Sequence, residues 1–125
     1  MARYITYGKW EKETVKQGIA AIREVLMGED DGAKKSLLLA LDWFMDPYYK
    51  QDVYIADFRE QLTDLLQTVV VTSGDTEVAG DALCLLTSYA WPPFDILEKN
   101  IHRVSPRIRP DVLYAIHMDS EYDER

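Results

Sequence analysis

Two histidines, His102 and His117, and a single cysteine, Cys84, are the residue types in this chain best suited to catalysis or metal binding. Glu98 and His102 are spaced i, i+4, which on a continuous helix puts a carboxylate and an imidazole on one face within reach of one metal ion. Two ligands do not complete a site, and carboxylate-bridged dimetal bundles repeat Glu and His at i, i+3 on two helices. Glu98 and His102 therefore read as a surface pair. His117, followed by Asp119, falls at the end of a helical segment, where an imidazolium complements the negative end of the helix dipole. Cys84 lies among Leu83, Leu85 and Leu86 with no neighbouring His or Lys in sequence to activate it, so it reads as a small buried hydrophobe. The chain has no Gly-rich phosphate loop, no Gly-x-Ser-x-Gly turn and no paired-Cys zinc spacing. No catalytic residue, metal ligand or cofactor site is assigned, and the chain is expected not to be an enzyme.

Aromatic residues interleaved with acids are the more informative feature: Asp42, Trp43, Asp46, Pro47, Tyr48, Tyr49, Asp52, Tyr54 and Asp57. Tyrosine offers a large rigid contact area with a hydrogen-bonding tip, and acids around it select a basic partner. Asp46, Tyr48, Tyr49 and Asp52, with Asp57, Glu60 and Asp64 farther along, form the candidate partner-binding set. An alternative stays open, in which Trp43, Tyr48 and Tyr54 belong to the core and the acids solvate helix ends. Trp91, Phe94 and Asp95 make a similar cluster with the same two readings.

The elements that position these residues are helical throughout. Val15, Ile19, Ile22 and Leu26 recur at helical spacing and predict one amphipathic helix from Trp10 to Gly28. Glu29-Asp30-Asp31-Gly32 is a polar turn. Ala33 to Met45 is apolar over most of its circumference, as in a helix buried on more than one side, and Asp46-Pro47 ends it. A third helix within Asp52 to Val71 places Ile55, Phe58, Leu62, Leu65, Leu66 and Val69 inward and Asp57, Glu60, Asp64 and Gln67 outward, ending near Val70. Asp75 or Ser73 caps a fourth helix carrying Val78, Ala82, Leu83, Leu85, Leu86 and Tyr89, which stops at Trp91-Pro92-Pro93. A fifth takes Phe94, Leu97, Ile101 and Val104 inward, and a short sixth carries Val112, Leu113 and Ile116.

At an offset of 46 residues Ala33 matches Ala79, Leu37 matches Leu83, Leu39 matches Leu85 and Pro47 matches Pro93, while Trp43 pairs with Tyr89 and Tyr48 with Phe94. A period of roughly 40 to 47 residues with two antiparallel helices per unit is the mark of HEAT or armadillo arrays. The expected fold is thus all-α, about six antiparallel helices in a compact bundle, with a short HEAT-like stack of helical hairpins as the variant that the echo suggests.

Length and charge bound the function. The 125 residues suit one helical domain, 1–125, with an extension over 1–9 and a frayed acidic tail over 119–125. Asp and Glu total 22 against 14 for Lys and Arg, a formal charge of -8, which repels phosphate backbones and anionic lipid and attracts a basic protein surface. Direct nucleic-acid and membrane binding are therefore not expected. The lone cysteine fits a reducing compartment, and neither a signal-peptide core nor an apolar run of ~20 residues is present, so the cytoplasm is the expected location.

In size, charge and architecture the chain resembles the small helical immunity proteins that bacteria carry against secreted nuclease toxins, including those of contact-dependent inhibition systems. The resemblance rests on no residue motif. It implies binding to a basic toxin domain, whose nucleic-acid site is blocked by carboxylates standing where phosphates would. Asp57, Glu60 and Asp64, with Asp46, Tyr48, Tyr49 and Asp52, would be the contacts. The second expectation is a HEAT-like adaptor or assembly factor that holds a peptide or subunit without inhibiting anything.

Overall fold

A computed structural model of the chain describes residues 8–117, and those residues are all-α. Seven α-helices are present among them: α1 (Lys9–Gln17), α2 (Ile19–Leu26), α3 (Asp31–Met45), α4 (Arg59–Thr72), α5 (Thr76–Tyr89), α6 (Asp95–Lys99) and α7 (Arg109–Ile116). Short 3-10 turns fill the connection from α3 to α4 and follow α6. The expected terminal segments fall largely outside the described residues, although Gly8 and Lys9 are described and Lys9 already opens α1. The chain divides into two compact units, one to Leu62 and the other from Thr63.

In the first unit, the helix expected from Trp10 to Gly28 is two helices, broken at Gly18. Gly18 has φ 111 and ψ -176, a backbone state open in practice only to glycine, and its amide donates to the Val15 carbonyl to close α1. Apolar periodicity alone does not register such a break, because Val15 and Ile22 on either side still point inward and are fully buried. The second helix starts earlier than the apolar pattern predicts. Asp30 caps it, its Oδ1 accepting the Ala33 amide at 3.0 Å, so α3 opens at Asp31. Leu37, Leu38, Ala40, Leu41, Phe44 and Met45 of α3 are buried with Val15, Ile22, Leu26 and Ile55. Each large side chain so buried contributes about 1.5–3 kcal/mol. Lys34 is also buried and pairs with Asp31 at 3.3 Å one turn earlier.

The third helix does not begin at Asp52. Between Asp46 and Arg59 the chain makes 3-10 turns at Pro47–Tyr49, Asp52–Tyr54 and Ala56–Phe58, and only then enters α4. Each of these turns is 3 residues long, too short for an apolar stripe to build up along it. Ile55 alone in this segment is fully buried; Phe58, expected on the inner face, is half-buried.

In the second unit, α4 continues to Thr72 because Val69, Val70 and Val71 are all buried, packing that outweighs the β preference of branched side chains. Asp75 rather than Ser73 caps α5, its Oδ1 accepting the amides of Glu77 at 2.8 Å and Val78 at 3.3 Å. The α5 residues Val78, Ala79, Ala82, Leu83, Leu85 and Leu86 are buried, as are Phe94, Leu97, Val104, Val112 and Ala115. The fifth helix is shorter than predicted: α6 stops at Lys99, where the Asn100 side-chain amide donates to the Ile96 carbonyl at 2.9 Å, and Ile101–Arg103 is a 3-10 turn.

Gln67, expected on the solvent face of α4, is instead buried. Its Oε1 accepts the backbone amides of Ile96 at 3.0 Å and Leu97 at 3.2 Å. No side chain at the N-cap position, Phe94, satisfies the first amides of α6, so an acceptor 29 and 30 residues away does so.

The 46-residue echo relates α3 to α5 as helices followed by a proline corner, but not in packing. Leu39 is 43% exposed whereas Leu85 is 5%, and Tyr48 is 81% exposed whereas its match, Phe94, is 0%.

Candidate functional site

The aromatic corner of the first unit is built on the end of α3. The Asp46-Pro47 step holds Asp46 extended at φ -75 and ψ 115, and its Oδ1 accepts the Tyr48 amide at 2.9 Å, starting the first 3-10 turn. Lys50, at φ 59, closes that turn in the left-handed region. Short turns of this kind hold side chains outward, since only Ile55 reaches the core. Tyr48, Tyr49, Val53 and Tyr54 are consequently exposed, Val53 to 70%.

The rings form a connected cluster. Trp43 meets Phe44 at 5.1 Å between centroids and Tyr49 at 6.0 Å; Phe44 meets Tyr54 edge-on at 6.1 Å; Tyr48 meets Tyr49 edge-on at 5.1 Å. Phe44 is fully buried, Trp43 half-buried and Tyr48 the most exposed, so the cluster runs from core to solvent on rings that support one another. Edge-on pairs of this geometry add about 0.5–1.5 kcal/mol beyond area burial. Two cations of α1 complete it. Lys12 Nζ lies 5.0 Å from the Trp43 ring centroid and Lys16 Nζ 4.7 Å from that of Tyr54.

Of the predicted set, the structure gathers Tyr48 and Tyr49 into this cluster, with Asp46 half-buried and committed to its turn. Asp52 is half-buried at the start of the second 3-10 turn, and Asp57 and Glu60 are exposed farther along. Asp64 is exposed and belongs to the second unit. A core position for Tyr48 and Tyr54 is excluded by their exposure. At the other predicted corner Trp91 is exposed, but Phe94 is core.

Sequence reasoning missed Val53, Lys12 and Lys16. Val53 falls inside the helix that the apolar spacing predicts, and its exposure follows from the 3-10 turns that replace the start of that helix. The i, i+4 spacing of Lys12 and Lys16 is visible in the chain, but their rings lie on residues far away in sequence, Trp43 on α3 and Tyr54 in the 3-10 turn that follows it, and tertiary packing creates both pairings. Charge averaging also hid a cationic stretch: between Glu98 and Asp111 the chain holds Lys99, Arg103, Arg107 and Arg109 and no acid. Arg109 Nη2 donates to the Val104 carbonyl at 2.6 Å and Arg103 Nη1 to Asn100 Oδ1 at 3.4 Å, so two of these side chains serve local structure.

The chemistry-bearing residues do not converge. Glu98 lies on α6 and His102 in the turn after it, so the break at Asn100 removes the shared helix face predicted for them. Cys84 is exposed rather than buried, on the outer side of α5 between two inward leucines. His117 is the exposed C-cap of α7, its amide donating to the Leu113 and Tyr114 carbonyls, while Asp119 lies outside the described residues. Among the described residues no three His, Cys, Asp or Glu side chains are placed to hold a metal ion, and no helix is long and apolar enough to cross a membrane. A shallow, open depression lined by Trp10, Asp30, Gly32, Ala33 and Ser36 is present in the first unit.

No protein-family model matches the chain, and no curated protein or solved structure is significantly similar to it.

Proposed function

We propose that the chain is a non-catalytic binding protein that captures a basic protein partner at the aromatic corner of its first unit. The observation that carries this reading is the exposure of Tyr48, Tyr49 and Tyr54 on a mutually packed ring cluster, with Val53 exposed next to Tyr54 in the chain. Side chains held in place by turns and by one another lose little conformational entropy on binding, the property that makes Tyr and Trp effective anchors. The formal charge of -8 favours association with a cationic surface. In this reading the chain acts as small helical immunity proteins do, neutralising a basic toxin domain, with a nuclease as the partner class and the cytoplasm as the place of action.

Charge reversal tests it. Replacing Asp57 and Glu60 together by Lys leaves the fold intact, since both are exposed, and weakens capture of a basic protein from lysate of the producing cells at low salt. Unchanged capture across a salt series removes the acidic surface from the account. Capture of a neutral complex insensitive to salt favours the adaptor function instead.

A further inference from the structure

We infer that the aromatic corner is a reader of arginine and lysine side chains, and that Lys12 and Lys16 occupy its ring faces until a basic partner displaces them. The inference rests on the corner being the partner surface. The two ammonium groups lie one helical turn apart on α1, and each sits over a different ring, at 5.0 Å from Trp43 and 4.7 Å from Tyr54. These distances are within the range in which a ring quadrupole attracts a cation, within about 6 Å of the centroid. Both rings are therefore cation acceptors as the protein stands, and a ring face that holds an ammonium from within holds a guanidinium from without. Lys16 and Tyr54 are exposed, so the exchange at Tyr54 needs only side-chain rotation, while Lys12 and Trp43 are both half-buried and make the deeper of the two sites.

The arrangement selects by charge in two ways. A cationic side chain replaces one favourable contact with another of the same kind, and a guanidinium stacks on a ring better than an ammonium does. A neutral apolar side chain would displace a lysine without restoring that attraction. The freed Lys12 and Lys16 return to water, where an ammonium is strongly hydrated. The cost of lifting both lysines lowers affinity and keeps the ring faces covered when no partner is bound.

A short synthetic peptide of alternating arginine and glycine is the probe, titrated by calorimetry at physiological salt while the Trp43 indole resonance is followed by NMR. The peptide shifts that resonance in the wild-type chain. Lys12→Gln with Lys16→Gln binds it roughly tenfold tighter, the effect of removing two cation–π competitors. Lys12→Arg with Lys16→Arg, which keeps both rings covered, shows no such gain. Lys9→Gln with Arg23→Gln removes the same net charge without uncovering either ring and gains less than the Lys12 and Lys16 double variant, because it is Lys12 and Lys16 that lie over the ring faces. An equal gain in that control, or no gain in the Lys12 and Lys16 double variant while the wild type still binds, overturns the displacement and leaves the basic-partner reading standing. No binding of the arginine peptide to any of these proteins, or preferential binding of an alternating glutamate and glycine peptide, overturns both. Thermal midpoints of the variants within a few degrees of wild type establish that each is folded.

Discussion

Gln67 Oε1 accepts the amide of Ile96 at 3.0 Å and that of Leu97 at 3.2 Å, so a buried side chain of α4 finishes the N-terminus of α6. A five-residue helix has little stability of its own, and its first amides are orphan donors unless something accepts them. Gln67→Leu, nearly the same shape but without an acceptor, leaves both donors unsatisfied and destabilises the chain by about 1–3 kcal/mol. Urea denaturation measures the loss, and amide exchange at Ile96 and Leu97 locates it.

Gly18→Ala tests the break between α1 and α2. The position has open space around it, so the penalty arises from φ 111 and not from a clash. The variant loses about 1–3 kcal/mol, read as a lowered thermal midpoint. A neutral outcome means that the chain relaxes into one continuous helix.

Much of the fold is legible in the sequence for physical reasons that these two residues also limit. Leu37, Leu41 and Phe44, or Leu62, Leu66 and Val69, bury one helical face, and that periodicity is written along the chain. Asp46-Pro47 and Asp75 mark element ends through local chemistry. Gly18 breaks a helix without breaking its periodicity, and Gln67 is polar yet buried because its partners are 29 and 30 residues away. The candidate site was legible in residue type at Tyr48 and Tyr49. Its cations were not, because Lys12 meets Trp43 only through the packing of α1 on α3.

Asp75→Ala removes the acceptor for the Glu77 and Val78 amides at the start of α5. The expected cost is about 0.5–2 kcal/mol, and Asp75→Asn, which keeps an acceptor, recovers most of it. Equilibrium unfolding of the two variants side by side gives the comparison.

Cys84 is exposed, so a thiol reagent labels the folded chain at one site without denaturant, and the labelled protein keeps its helical circular dichroism. Protection until unfolding contradicts that placement.

The central claim is that the exposed aromatic corner holds the partner. Its most direct test is the equilibrium affinity of the captured basic protein for the wild-type chain and for Tyr48→Ser with Val53→Ser, two exposed positions whose main structural loss is the Tyr48–Tyr49 ring pair, about 0.5–1.5 kcal/mol. Loss of a hot-spot anchor of about 2 kcal/mol predicts a Kd at least roughly thirtyfold weaker at a temperature where circular dichroism shows both proteins fully folded. Equal affinity of the two proteins would contradict the account.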